Sequence, residues 1–533
     1  MTLWTIICLL QLPLLGTAAA VSSHPLLLLI SFDGWRYDLL NETITPALWQ
    51  FAKSGVHFTK GVRSQYVTVT AANHMSIVTG LVQESHGIVG NQFYDPVLDA
   101  RYDLFNMAGN GTVARDSLTE RWYKGEPIWL TNERKGGRKS GAMHWPAADA
   151  AFPGVPPHPS TFKPYETMEF DLVSWNRDID ALMEWFTRDG GGVNFVAWYV
   201  EDPDHELHEH GFNSKELMDS LKALDQSFAH LLTRVRQHGL QDRLNIIFTA
   251  DHGHVQIAKY EQLICISEYV NISANGVHTG DHMLYIKDAS LAEHYYSLLE
   301  TAVKKHGLGM KVYRKADFPD RFGYKNTPRV GDIILLPDRG WSVSFACTNT
   351  SMDEQFKKNP TSYSKATHGQ DPDMWEMRAV LAMSGPAFQS GLDIEDIPSN
   401  VDLYPLMCHV LEVTCAPNNG SLSLIGRALR GRSSGLSSMI GQPLDYVRDE
   451  HGNLLTFRLL VVVCSVVAPV ALFILYAYFS LRRPSSQRSS VSTQGYSRLK
   501  NASSVSDSAT LRSLPVAKAS LIGDADSMSE DDL

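Results

Sequence analysis

The chain has no excess of positive charge: 47 lysines and arginines face 58 aspartates and glutamates, a formal net charge of −11. That balance argues against a nucleic-acid polymer as the main partner, because proteins that hold such polymers present basic surfaces. It leaves room for a small anionic substrate, since bound cations can dominate the field of a site. Internal repeats are absent, and 533 residues suffice for one large domain or two to four small ones. Cysteine is scarce, with six in all, and Cys8 and Cys464 lie inside apolar runs. The other four are Cys265, Cys347, Cys408 and Cys415. Charge is missing altogether from residues 459–481, a run long enough to span a bilayer.

What is present fits an exported chain. Residues 1–20 read as a secretory signal, mostly apolar from Leu3 to Leu15 and then small up to Ala20, without a charged leading region. Arg482 and Arg483 directly follow the second apolar run and orient its far side to the cytoplasm. The expected order is a signal peptide (1–20), a catalytic domain (21–430), an extracellular stalk (431–458), a transmembrane helix (459–481) and a disordered serine-rich tail (482–533). That order predicts a single-pass type I plasma-membrane protein with its bulk outside. Disulfides persist there; Cys408 and Cys415, close in sequence, are expected to pair, and Cys265 then pairs with Cys347 if both are bonded. Glycosylation sequons at Asn41, Asn110, Asn271, Asn349 and Asn419 agree with export.

The sequence then shows a recurring arrangement. Leu26 to Phe32 is a continuous apolar run that ends at Asp33. Val193 to Val200 ends before Asp204 and His208, and Leu244 to Ala250 ends at Asp251 and His252. Such runs read as strands buried on both faces, and Ser214 to His238 between two of them has helical spacing. Alternating strands and helices predict an α/β fold, a mostly parallel central sheet flanked by helices on both faces. In such sheets functional groups gather beyond the carboxyl ends of the strands. The region from Val277 to Pro319 reads as an α+β insertion, and strands are expected over Arg329 to Leu336 and Met377 to Met383.

Thr70 closes a β-branched stretch just before a helix start. Alone it would be an ordinary N-cap. Alongside Asp33, Asp204, His208, Asp251, His252 and His368 it gains a second meaning. Carboxylates mixed with imidazoles suit zinc, and Asp204 and His208, four apart, share one face of a helical turn. A metal can activate a hydroxyl that is a poor nucleophile by itself.

Eight short motifs carry a resemblance. They are Phe32-Asp-Gly-Trp-Arg36, Thr70-x-x-Asn-His74, His86-Gly-Ile-Val-Gly-Asn91, Gly125-Glu-Pro-Ile-Trp129, Trp145-Pro-x-x-Asp149, Asp202-Pro-Asp-x-x-x-His208, Asp251-His-Gly253 and Thr367-His-Gly369. Over roughly residues 25–425 the chain resembles the ecto-nucleotide pyrophosphatase/phosphodiesterase family of the alkaline phosphatase superfamily, above all its short type I membrane members. The resemblance implies an alkaline-phosphatase-like fold and two zinc ions. One would be held by Asp204, His208 and His368, the other by Asp33, Thr70, Asp251 and His252. It further implies that Thr70 is the nucleophile, that Asn91 donates to the phosphoryl oxygens, and that Tyr165 stacks on a nucleobase. The expected activity is hydrolysis of a nucleotide phosphodiester or phosphoanhydride through a phospho-threonine, releasing a 5′-nucleotide. Departures are Ala71, where the family often has an aromatic that packs on the base, Leu207 in place of glycine and Phe212 in place of proline. Ala71 motivates the alternative of a choline-type headgroup phosphodiesterase. A catalytically silent receptor of the same fold is the third reading, and the absence of a Cys-x-Pro-x-Arg run at the nucleophile argues against a sulfatase.

Overall fold

The computed structural model describes residues 21–104, 116–152, 159–188, 191–345 and 364–431. The signal, the apolar run 459–481, the tail, Asn110, Asn349 and Cys347 therefore lie outside the described residues, as does the stalk beyond residue 431. Among the described residues no helix is long and apolar enough to cross a membrane.

The apolar runs become the centre of an eight-stranded sheet. Its strands are β1 Leu26–Phe32, β2 Val56–Phe58, β3 Ser140–Met143, β4 Thr161–Lys163, β5 Phe195–Val200, β6 Leu244–Thr249, β7 Leu381–Ser384 and β8 Leu392–Ile394. Their order across the sheet is β8-β2-β7-β6-β1-β5-β3-β4. The pairings of β1 with β5 and β6, of β3 with β4 and β5, and of β2 with β8 are parallel. β7 runs antiparallel to both its neighbours, so the sheet is mixed. β7 also starts later than the expected Met377, because Trp375–Met377 coils into a 3₁₀ turn and Ala379 bridges Arg36 and Val62.

Every residue of β1, β5 and β6 is buried, as a sheet covered on both faces requires. The covering helices are α1 Pro46–Ser54, α2 Thr70–Thr79, α3 Leu172–Thr187, α4 Asp204–His210, α5 Lys215–Gln237 and α7 Leu403–Leu411, while α6 Ala289–His306 packs on a second sheet. α5 packs on α1, α3 and α4, while α7 packs on α2 and β1. Register places the site. Phe32 lies opposite Val200 and Ser31 opposite Thr249, so three central strands end together and release Asp33, Glu201 and Asp251 at one edge.

The expected insertion is a separate four-stranded sheet, in the order Val277–Gly280, Met283–Ile286, Ile333–Pro337, Met310–Arg314, backed by α6 and a small core of its own. It is tied to the main body by Asp281, whose Oδ2 accepts the backbone amides of Asn91 and Gln92. Cys408 and Cys415 form a disulfide at the end of α7. Cys265 is buried in the insertion, with its Sγ 3.3 Å from Ser267 Oγ.

Candidate active site

The turn before α2 is built by Asn73. Its Nδ2 donates to the carbonyls of Val67 and Val69, and its Oδ1 accepts the Gln65 amide at 2.8 Å. The chain therefore enters the helix in a fixed path, and α2 begins at Thr70 itself, with Val69 in the cap position and no side-chain cap. The Thr70 hydroxyl is not spent on capping, contrary to the simplest expectation for a threonine at a helix start. It lines a cavity of about 180 Å³ together with Asp33, Asn91, Tyr165, Tyr199, Glu201, Asp204, His205, His208 and His368.

Asn91 reaches the cavity from the turn after His86. Its Oδ1 accepts the Ala71 amide at 2.7 Å, which leaves the Nδ2 donors for the cavity. Tyr165 lies tilted against Tyr199, with ring centroids 5.8 Å apart. The Ala71 side chain is buried at 2% exposure and offers no stacking surface.

Two groups of ligand-type atoms gather at this sheet edge. In the first, Asp33 Oδ1 and Asp251 Oδ2 lie 3.6 and 3.1 Å from His252 Nε2. In the second, Asp204 on α4 meets His208 Nε2 at 3.4 Å and His368 Nε2 at 3.6 Å. The six expected carboxylate and imidazole ligands thus fall into these two groups, and Thr70 lines the cavity with Asp33, Asp204, His208 and His368.

The chemistry of these atoms fits cations. Three histidines are tied through Nδ1 to backbone carbonyls: His208 to Ala366, His252 to Gly253 and His368 to Thr68. A proton held at Nδ1 leaves each Nε2 as a bare lone pair, the form in which imidazole binds metal. The Nε2 atoms of His208 and His368 face each other at 3.0 Å. Asp33 Oδ1, Asp251 Oδ2 and His252 Nε2 are buried with no hydrogen-bond partner, an arrangement that is costly without a compensating charge. Burial, then the neighbouring Asp251 and Asp204, pushes the Asp33 carboxyl well above its ordinary value, and burial raises Asp251 as well. Burial drives His252 well below the usual imidazole range and His368 down to about 3, so both rings are neutral and ready to ligate. Asp204 feels burial in the opposite sense, but the imidazoles of His208 and His254 hold it well below the carboxylate range.

Two participants were not expected from the sequence. Tyr199, the penultimate residue of β5, donates its hydroxyl to Asp33 Oδ2 at 2.6 Å. His254, two residues beyond His252, places its Nε2 2.9 Å from Asp204 Oδ1. The Asp-His-Gly-His alternation was the available signal, since residues two apart in an extended segment project to the same side.

A family model described as type I phosphodiesterase / nucleotide pyrophosphatase matches residues 27–371. The bis(5'-adenosyl)-triphosphatase enpp4 of Xenopus laevis is 35% identical over 408 residues, covering 75% of this chain and 81% of that one. The ectonucleotide pyrophosphatase/phosphodiesterase family member 5 of Homo sapiens is 33% identical over 399 residues, covering 74% and 76%. The solved structure of human ectonucleotide pyrophosphatase/phosphodiesterase 5 superposes with a TM-score of 0.66 at 29% identity, over 76% of this chain and 99% of that one. An inactive threonine-to-alanine variant of the murine protein, in complex with AMP, superposes with the same score and identity over 76% and 100%.

Proposed function

Since the chain belongs to the type I phosphodiesterase / nucleotide pyrophosphatase family, and is a hydrolase of that kind, we propose that it cleaves nucleotide phosphodiester or phosphoanhydride bonds through a phospho-threonine on Thr70, releasing a 5′-nucleotide. The observation that carries this reading is the Thr70 hydroxyl, not engaged as a helix cap and lining a cavity with Asp33, Asp204, His208 and His368, beside carboxylates and imidazoles grouped closely enough to hold cations.

Asp33, Thr70, Asp251 and His252 would hold one zinc ion, and Asp204, His208 and His368 the other. Bound there, the two ions would supply positive charge that lowers the pKa of a hydroxyl and neutralises a phosphoryl group. The remaining work falls to the chain. Asn91, its Oδ1 engaged by Ala71, turns its Nδ2 donors towards a phosphoryl oxygen. The Thr70 oxygen attacks phosphorus and the bond to the leaving oxygen breaks. A water then attacks the same phosphorus and the Thr70 oxygen departs, restoring the hydroxyl. Tyr165, packed on Tyr199 at the cavity wall, is the aromatic surface available to a nucleobase.

The buried Ala71 favours a second reading, a choline-type headgroup phosphodiesterase. Purified full-length protein incubated separately with a dinucleoside polyphosphate and with glycerophosphocholine separates the two. Release of a 5′-nucleotide from the first is expected; hydrolysis of the second substrate alone would sink the nucleotide reading.

We also infer a plasma-membrane, single-pass type I placement with the catalytic domain outside. The Cys408–Cys415 disulfide and the exposed sequon asparagines Asn41, Asn271 and Asn419 support it.

A further inference from the structure

His254 is fully buried, carries no role in the reading above, and lies at the centre of the imidazole group. Its ring centroid is 5.0 Å from those of both His208 and His368 and 5.4 Å from that of His252. Its Nε2 lies 2.9 Å from Asp204 Oδ1, and its Nδ1 lies 3.3 Å from the Gly34 carbonyl. The other Asp204 oxygen, Oδ2, faces His208 Nε2 at 3.4 Å. Oδ1 also lies 3.6 Å from His368 Nε2, so both oxygens of this carboxylate face imidazole nitrogens.

The ring is held there by three independent features. Val255–Gln256 pairs with Ala366–Thr367, so the segment after His254 is laddered to the segment before His368. The His254 carbonyl accepts from Arg36 Nη1 at 2.9 Å. Gly34, at φ +65, has no Cβ, and one built there would lie 2.5 Å from His254 Cε1 and 3.0 Å from Asp204 Cβ. The pocket for this imidazole exists because position 34 is glycine.

We infer that His254 is a positioning residue for the second metal: its contact with Asp204 Oδ1 fixes the rotation of that carboxylate, and so the placing of both its oxygens beside His208 and His368. The inference rests on the two-metal reading of the site. A carboxylate with one oxygen held loses the freedom to rotate about its terminal bond, and outer partners of this kind are worth about 10- to 100-fold in metal affinity.

The test uses full-length protein loaded with zinc, with metal content measured by mass spectrometry and release followed against a chelator. Wild type is expected to hold two ions per chain. His254→Ala is expected to lose one of the two about 10- to 100-fold faster. His254→Gln, whose amide carries a donor at comparable reach, is expected to restore release to within a few-fold. The melting points of the metal-free proteins should agree. Release from His254→Ala at the wild-type rate would overturn the inference, as would a glutamine variant no better than alanine. A metal-free melting point that drops in step with the release rate would assign His254 to packing instead. Wild type that binds no zinc would overturn the two-metal reading itself, a result separate from the others.

Discussion

Asn91 Oδ1 and the Ala71 amide are joined by a 2.7 Å hydrogen bond, and that bond decides which end of the Asn91 amide faces the cavity. Because Oδ1 is occupied, the Nδ2 donors are left for the cavity that Asn91 lines, where the proposed reaction needs a donor. Asn91→Ala is expected to lower kcat/KM by about 10²- to 10³-fold, the usual cost of removing one donor that stabilises developing charge. Asn91→Asp keeps the acceptor for Ala71 but replaces the donor with negative charge, and should be at least as impaired. Steady-state kinetics beside a melting curve checks this; an active Asn91→Asp variant would refute the assignment.

Thr70 gives a sharper outcome. Removing a nucleophile costs far more than removing a stabilising donor, so Thr70→Ala should fall by about 10⁴-fold or more. The change deletes one hydroxyl and one methyl from a helix start whose cap is made elsewhere, so the fold should persist. A substrate radiolabelled at the transferred phosphoryl, quenched in acid during turnover, should leave label on wild type and none on Thr70→Ala. Label retained by the variant would place the nucleophile at another residue.

The parts of this site that could be read from the sequence are those where strand chemistry and site chemistry coincide. Asp33 and Asp251 each follow a largely apolar run, and the same burial that makes those runs strands places both carboxylates at one sheet edge. His208 was legible because four-residue spacing on a helix fixes its relation to Asp204. Tyr199 was hidden, because inside an apolar strand a tyrosine reads as packing, and only the parallel register with β1 brings its hydroxyl to Asp33. His254 escaped for a related reason: it lies past the turn, and its partner Asp204 belongs to an element 50 residues earlier, a pairing local periodicity does not encode. The antiparallel β7 was hidden too, since strand direction is set by the route of the preceding chain rather than by the composition of Leu381–Ser384.

His86 provides a pH dependence away from the metal-site residues. Its Nδ1 accepts the Ile88 amide at 3.1 Å and its Nε2 pairs with Ser76 Oγ at 3.0 Å, so the ring must be neutral. Burial lowers its pKa from 6.5 to about 3. Between these values the unfolded chain binds a proton that the folded chain refuses, and stability falls as the pH drops. The contribution is fully present above pH 6.5 and is lost towards 3, at about 1.4 kcal/mol per pH unit. Urea titrations between pH 7.5 and 5 should show this slope, and His86→Asn should flatten it by one proton. A slope unchanged by the substitution would remove His86 as its source.

Arg329 is the strongest candidate for a single residue whose loss unfolds the site without touching it. It is buried at 4% exposure, and its Nε pairs with the equally buried Asp95 at 2.7 Å. Its remaining donors reach the carbonyls of Gly87, Arg121 and Trp122, so one guanidinium joins the insertion to the turn that carries Asn91. Arg329→Met fills similar volume but strands the Asp95 carboxylate in the interior and leaves three carbonyls without their donor. Breaking a buried pair by removing one partner costs about 3–5 kcal/mol. Arg329→Lys restores charge but not the planar fork and should recover only part of it. Denaturant midpoints at constant slope measure both. Removing the two partners together, Arg329→Met with Asp95→Leu, should cost less than Arg329→Met alone, because no charge is then left uncompensated; a double variant as unstable as the single one would show that the carbonyl contacts, not the ion pair, hold the turn.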